Sequence, residues 1–138
     1  MPKAGDVLFY KEWVFEDGSQ GRKLLVVLNT PPDIDTPLLV AKTTSNSKHY
    51  SGVNAGCNPS KRVFFVLQSD EPCFDCDTYI QMHGIWEITT EQMLSGSFAR
   101  VIIPLETPVS PRCFQQIKGC LRNFRDDIST KHWNLIFR

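Results

Sequence analysis

Hydrophobic and polar residues alternate in short blocks along the first two thirds of the chain, a pattern that is typical of β-strands. Asp6–Phe15 predicts a strand, Glu16–Arg22 a polar turn and Lys23–Leu28 a second strand. Because the run Leu24–Leu28 has no polar face, the second strand is expected to be buried on both sides of a sheet. A buried strand behind a charged turn is a rigid mount for a surface site.

Further strands are predicted by β-branched and aromatic runs between turn-rich segments. The segment 30–37 holds three prolines and two aspartates and predicts a loop. The segment 51–61 predicts a loop or a long hairpin connection, and the polar stretch 42–50 is expected to stay out of the core. The predicted strands are Leu38–Ala41, Arg62–Leu67, Thr78–Ile88 (broken near Gly84) and Val101–Leu105.

Helix signals come late in the chain. Thr89 with Gln92 three residues on forms a capping box for a short helix that Gly96 is expected to end. Ser110 before Pro111 begins a longer C-terminal helix. Its apolar face holds Cys113, Ile117, Cys120, Leu121 and Phe124. The segment 133–137 predicts an edge strand or a packed apolar tail.

The pattern as a whole predicts a mainly β fold. We expect five or six strongly bent strands in a small barrel, with a short helix between the late strands and a C-terminal helix, in a single domain spanning residues 1–138. Hydrophobic residues make up 41% and charged residues 22% of the 138 residues, as in ordinary globular chains.

No apolar run approaches the roughly 18 residues needed to cross a bilayer, so no membrane association is predicted. The first residues lack the apolar segment of a signal peptide, which predicts a cytoplasmic protein. The formal net charge is zero. Binding to a nucleic acid would therefore require local clustering of cations.

The chain has five cysteines, and in a reducing cytoplasm an odd number makes a disulfide framework unexpected. Cys73-x2-Cys76 with Cys57 and His83 would form a Cys3His zinc set, but a lone CxxC lacks a defined second pair. We therefore predict no metal and no cofactor. Cys113 and Cys120 are expected to pack in the core.

Two polar loops carry the residues that are best suited to bind or act on a substrate. Cations and hydroxyls together suit a phosphate, because the cations offset its charge and the hydroxyls donate hydrogen bonds to its oxygens. The alternative is a pair of solvated turns without function. The first loop supplies Ser19, Arg22 and Lys23, and the second supplies Thr43, Thr44, Ser45, Lys48 and His49.

Three segments, in the right order, resemble the MazF/PemK toxins of toxin–antitoxin systems. The first is Gly5-Asp6-Val7, followed by Gly18-Ser19, Gly21 and a cation before an apolar strand. The second is Val40-Ala41-Lys42-Thr43-Thr44-Ser45. The third is Phe74-Asp75-Cys76-Asp77-Thr78-Tyr79-Ile80, followed by Ile85 and Ile88-Thr89.

The resemblance implies an SH3-like barrel, usually dimeric and held in check by an antitoxin protein. It also implies metal-independent cleavage of single-stranded RNA, in which the 2′-hydroxyl attacks the adjacent phosphate and leaves a cyclic phosphate. The family's catalytic arginine falls on Lys23, or on Arg22 if the turn is one residue shorter. Its catalytic threonine falls on Thr43 and its loop serine on Ser19. The RNA groove would be lined by Ser19, Thr44, Ser45, Lys48 and His49.

The chain departs from the family pattern at two places. Lys23-Leu24 stands where the family has Arg-Pro, and Gln20 stands where the family has an acid. The alternative function is a non-catalytic module on the same barrel that binds a protein or a nucleic acid. Inhibition of gyrase, which occurs among relatives of this fold, belongs to that alternative.

Overall fold

The computed structural model describes all 138 residues and consists of one antiparallel sheet with three α-helices. The strands are β1 (Val7–Val14), β2 (Gln20–Val27), β3 (Leu38–Thr44), β4 (Gly56–Asn58), β5 (Val63–Val66), β6 (Thr78–Gln81), β7 (Trp86–Ile88) and β8 (Ile102–Pro104). The helices are α1 (Thr90–Phe98), α2 (Pro111–Leu121) and α3 (Thr130–Phe137). The prediction of a mainly β fold is confirmed, with eight strands in place of five or six.

Strand β3 is the centre of the sheet. The strand order is β4-β5-β6-β3-β2-β1-β8. The remaining strand, β7, also pairs with β3. One edge of β3 pairs with β2 in the register Leu25↔Lys42. The other edge is divided, because β7 pairs with the first half and β6 pairs with Thr43 and Thr44. The start of β2 and the end of β3 therefore lie side by side.

The sheet has a hydrophobic core on each face, and β2 together with Leu28, the residue after it, contributes to both. Val26 and Leu28 pack in the core that α2 and α3 cover, whereas Leu25 and Val27 pack with residues of β3, β7 and α1. Successive residues of a strand point to opposite faces, and the side chains on each of the two faces are fully buried here. The prediction of a strand buried on both sides is confirmed.

The predicted helix starts are confirmed by their caps. Thr89 and Gln92 form the capping box of α1, and the Ser110 side chain accepts a hydrogen bond from the backbone N–H of Cys113 in α2. The predicted end of α1 is wrong, since the helix continues past Gly96 to Phe98. A Cβ on Gly96 would lie 2.5 Å from Ile102, so this glycine permits close packing on β8 rather than ending the helix.

The last apolar segment is helical, so the edge-strand alternative is wrong. Ser129 caps α3 by accepting a hydrogen bond from the backbone N–H of His132. Ile136 of this helix is buried in the core, and Leu135 and Phe137 pack against it. None of the helices is long and apolar enough to cross a membrane.

Two polar segments enter the sheet more than the pattern predicted. Segment 51–61 contains the edge strand β4, which pairs with β5 and fits the hairpin alternative. The stretch 42–50 was expected outside the core, but Thr43 lies inside β3 and Tyr50 is buried, stacked on Tyr79. The pairing of β3 with β6 explains the burial of the second segment, because it covers Thr43 and brings Tyr79 of β6 against Tyr50. Local polarity does not reveal that pairing.

A disulfide bond joins Cys57 to Cys120, so the expectation of fully reduced thiols is wrong. The bond links the edge strand β4 to α2 across 63 residues of sequence, with a Cα–Cα distance of 5.5 Å. Cys113 is buried and free, as expected of a core residue. A spacing of that length carries no sequence signal for pairing, because only the packing of α2 on the sheet brings the two thiols together.

Candidate functional site

A groove of about 500 Å³ opens where the start of β2 meets the end of β3. The segment that leads into β6 forms its other wall. Five of the eight predicted site residues line the groove: Arg22, Lys23, Thr43, Thr44 and Ser45. The adjacency of β2 and β3 explains this convergence, since the register that pairs Leu25 with Lys42 brings the two polar strand ends together.

Lys23 and Thr43 are joined by two hydrogen bonds across the strands. The Lys23 ammonium donates to the backbone carbonyl of Thr43 at 3.1 Å, and the Thr43 hydroxyl donates to the backbone carbonyl of Leu24 at 2.7 Å. The Thr43 side chain is also buried, with 5% of the residue exposed. Its proton is therefore engaged, and Thr43 fixes the relative position of the two strand ends.

Lys23 is a half-buried cation without a carboxylate partner. The ion pairs of the chain involve only two acids, Asp127 and Glu87, and neither is paired with Lys23. The ammonium instead lies 5.4 Å from the ring centre of Phe15 and 6.0 Å from that of Trp13. Burial, and secondarily the charge of Lys42, lower the pKa of Lys23 below its ordinary value.

Arg22 supplies the second cation of the groove. Its guanidinium lies 5.9 Å from the ring centre of Phe9, and the residue is exposed. It has no ion-pair partner, so its hydrogen-bonding fork is available to an anion. Arg22 and Lys23 together give this groove two adjacent positive charges.

The other three predicted residues lie away from the groove lining. The Ser19 hydroxyl donates to Asp17 at 2.6 Å in the β1–β2 turn, and this hydrogen bond lowers the pKa of Asp17. Lys48 and His49 are exposed in the 3₁₀ turn Ser47–His49, which Asn46 caps. The structure therefore does not bring these side chains together with Arg22 and Lys23.

Four groove residues with polar or thiol side chains were not part of the predicted phosphate site: Asp75 and Thr78, together with Cys73 and Cys76 of the zinc set. Asp75 is the only carboxylate of the lining. The resemblance of segment 74–80 to the MazF/PemK pattern is a sequence signal that points to this wall of the groove, but Asp75 itself is distant from Lys23 in sequence. Two aromatic side chains, Phe9 and Phe15, add apolar walls.

The zinc set of Cys57, Cys73, Cys76 and His83 is not assembled. Cys57 is bonded to Cys120 in the disulfide, and His83 is exposed between β6 and β7. Burial, with a contribution from Glu71, raises the pKa of the Cys73 thiol to about 11, which disfavours the thiolate that zinc requires. No group of three metal-ligating side chains is found in the chain.

A larger cleft, of about 710 Å³, lies between β5 and α2 and contains the disulfide. Its buried carboxylate is Glu71, with 6% of the residue exposed. Glu71 accepts hydrogen bonds from the Ser110 backbone N–H at 2.6 Å and from the Ser110 hydroxyl at 2.9 Å. This acid is therefore engaged in fixing the start of α2.

No protein-family model and no curated protein matches this chain.

Proposed function

We propose that this protein is a toxin-like endoribonuclease that cleaves single-stranded RNA without a metal ion, on an SH3-like barrel of the MazF/PemK type. One observation carries the proposal: Arg22, Lys23 and Thr43, selected from sequence as catalytic, line one groove together with Thr44 and Ser45. Two adjacent cations without carboxylate partners suit the phosphate of an RNA strand.

The reaction is a transesterification within the RNA. The 2′-oxygen forms a bond to phosphorus, and the bond from phosphorus to the 5′-oxygen of the next nucleotide breaks. The products are a 2′,3′-cyclic phosphate and a 5′-hydroxyl, whose oxygen takes a proton from solvent water as it leaves. Arg22 holds two phosphate oxygens with its planar fork, and Lys23 adds a point charge. Both stabilise the negative charge that builds up at the transition state.

The remaining groove residues have separate roles in this proposal. Asp75, the one carboxylate of the lining, accepts the proton of the 2′-hydroxyl. Thr44 and Ser45 donate hydrogen bonds to the RNA backbone, and Thr43 is a positioning residue because its own hydroxyl proton is engaged by Leu24. The rings of Phe9 and Phe15 give the bases apolar surfaces on which to stack.

The partners follow from the same resemblance and are part of the proposal. The active form would be a homodimer, and a cognate antitoxin protein would cover the groove. Ser19, Lys48 and His49 lie outside the groove lining and would contact RNA only where the strand leaves it.

The test is cleavage of single-stranded RNA oligonucleotides of mixed sequence in the presence of EDTA. The wild-type protein is expected to leave fragments with cyclic phosphate and 5′-hydroxyl ends. The variant Arg22→Ala/Lys23→Ala is expected to lower the rate about 1,000-fold, since loss of one transition-state donor typically costs 100-fold or more. The control Lys3→Ala/Lys61→Ala removes two exposed lysines that do not line the groove and should leave the rate unchanged.

Two outcomes would contradict this mechanism: no cleavage of RNA in any sequence context, or undiminished cleavage by the Arg22→Ala/Lys23→Ala variant. Binding of RNA or of a protein without cleavage would support the alternative of a non-catalytic module. The presence of Lys23 at the family's arginine position favours that alternative. Growth arrest on expression in bacteria, relieved by a neighbouring gene product, would support the toxin.

A further inference from the structure

The C-terminal helical segment gives the chain a strong charge asymmetry. Residues 111–138 contain six lysines or arginines and two aspartates, a formal charge of +4. The other residues balance this with a formal charge of −4, so the zero net charge of the chain conceals a basic region. A local field of this kind attracts polyanions even when the net charge of the protein does not.

Three cations of this region lie over aromatic rings of α3. Arg122 lies 4.8 Å and Lys118 lies 5.5 Å from the ring centre of Phe137, and Arg125 lies 4.5 Å from that of Trp133. The two rings contact each other, with their centres 4.2 Å apart. We call these five residues the basic face.

The cations of the basic face have no carboxylate partners. The nearest ion pairs in sequence join Arg62 to Asp127 and Lys131 to Glu87, and neither includes Lys118, Arg122 or Arg125. The rings restrain the long side chains by cation–π contact, so less conformational entropy is lost when a ligand binds. The donor forks of both arginines remain available to phosphate oxygens.

The chemistry of the face favours a nucleic acid over a lipid surface. Insertion into a membrane requires exposed apolar side chains, and the exposed large hydrophobic residues of this chain all lie before residue 111. Trp133 and Phe137 are partly exposed, so their remaining surface can stack on bases. Cations interleaved with aromatic rings are the usual surface for single-stranded nucleic acid.

We propose that the basic face is a second binding surface for single-stranded RNA, which contacts the strand outside the groove without reading its sequence. The choice of RNA as the polyanion rests on the proposed function. The contacts to phosphates require cations at Lys118, Arg122 and Arg125 but no particular base. Affinity should therefore increase with the length of the RNA until the strand reaches both surfaces.

The test measures binding of 2′-O-methyl RNA oligonucleotides of about 8 and about 30 nucleotides, which lack the attacking hydroxyl and cannot be cleaved. The variant Lys118→Gln/Arg122→Gln/Arg125→Gln is compared with Lys3→Gln/Lys11→Gln/Lys61→Gln, a control with the same loss of charge at exposed positions. The face variant should bind the long RNA at least tenfold more weakly than the control. Its salt slope should fall by about 2, since each phosphate contact on a single strand contributes roughly 0.7.

A further variant separates charge from packing. Arg122→Lys/Arg125→Lys keeps both charges and should retain most of the affinity for the long RNA. The proposal is overturned if the face variant binds within twofold of the control. Binding to phosphatidylglycerol vesicles is measured in parallel. The proposal is also overturned if the face variant loses binding to these vesicles but keeps its binding to RNA. Absence of RNA cleavage by the wild type, with the length-dependent binding intact, would contradict the proposed catalysis and leave the basic face supported.

Discussion

Two concavities of this protein, the cleft between β5 and α2 and the groove beside Lys23, differ in how their buried charged side chains are paired. The cleft between β5 and α2 is the larger, at about 710 Å³ against about 500 Å³ for the groove beside Lys23. In the cleft, Glu71 is paired with the Ser110 backbone and hydroxyl. In the groove, Arg22 and Lys23 have no carboxylate partner. Size would select the cleft as the functional site, whereas a half-buried charge without an acid partner, that of Lys23, selects the groove; the other charges of the cleft, Asp70 and Arg112, are exposed.

The two charged side chains have opposite effects on the stability of the folded state. Glu71 stabilises α2, because a carboxylate at a helix N-terminus accepts hydrogen bonds from free N–H groups and interacts favourably with the positive end of the helix dipole. Lys23 has the opposite effect, because a half-buried cation without an acid partner destabilises the folded state. Local violations of this kind are expected at functional sites, which is why we assign the groove and not the cleft.

The largest expected effect on stability comes from the disulfide in the cleft. Replacement by Cys57→Ala/Cys120→Ala should lower the free energy of unfolding by about 4 kcal/mol, since the bond closes a loop of 63 residues in the unfolded chain. Urea denaturation measures the change, with Cys76→Ala, an exposed free thiol, as the control. RNA cleavage at 25 °C by the folded variant should stay unchanged. A tenfold loss of cleavage would place the cleft in the active site.

The next effect tests the carboxylate of the cleft. Glu71→Gln should lower the free energy of unfolding by about 1–3 kcal/mol, because the buried charge-assisted bonds to Ser110 are weakened. The matched control is Asp70→Asn at the exposed neighbouring position, which should change stability by less than about 0.5 kcal/mol. If Glu71→Gln left stability unchanged and abolished RNA cleavage, the contrast between cleft and groove would be reversed.

The smallest effect is a pH dependence in the groove. The pKa of Lys23 lies below 10.5 because of burial and Lys42, so the ammonium is lost as pH rises through this lowered value. Cleavage should therefore fall on the alkaline side, after correction for uncatalysed hydrolysis. Lys23→Arg should remain active to higher pH, and Lys42→Gln should move the decline upward by removing the neighbouring charge. Identical alkaline profiles for all three proteins would exclude Lys23 as the acting cation.

The same shift affects stability with a defined sign. Between the folded pKa of Lys23 and the unfolded value near 10.5, the unfolded chain binds more protons than the folded one. The destabilising contribution of the charged lysine is therefore present below the folded pKa and is relieved as pH rises through this window. This follows from a lysine that loses hydration without gaining an acid.

The predictable parts of the fold and site are those that depend on neighbours in sequence. The continuous apolar run Leu24–Leu28 identified β2, and the caps at Thr89 and Ser110 are local hydrogen bonds that sequence spacing expresses directly. The groove was predictable to the extent that its cations and hydroxyls end two paired strands. Asp75 was missed as a groove residue because its segment is separated from Lys23 by more than fifty residues.

The sequence by itself determined the mainly β character, the strand buried on both faces and five of the polar residues that line the groove. Only the tertiary structure decided which of them meet. The pairing of β3 with β2 and β6 brings Lys23, Thr43 and Asp75 to one groove, and it leaves Ser19, Lys48 and His49 outside. The packing of α2 likewise joins Cys57 to Cys120. Contacts between distant segments are set by sheet register and helix packing, which local patterns of polarity do not encode.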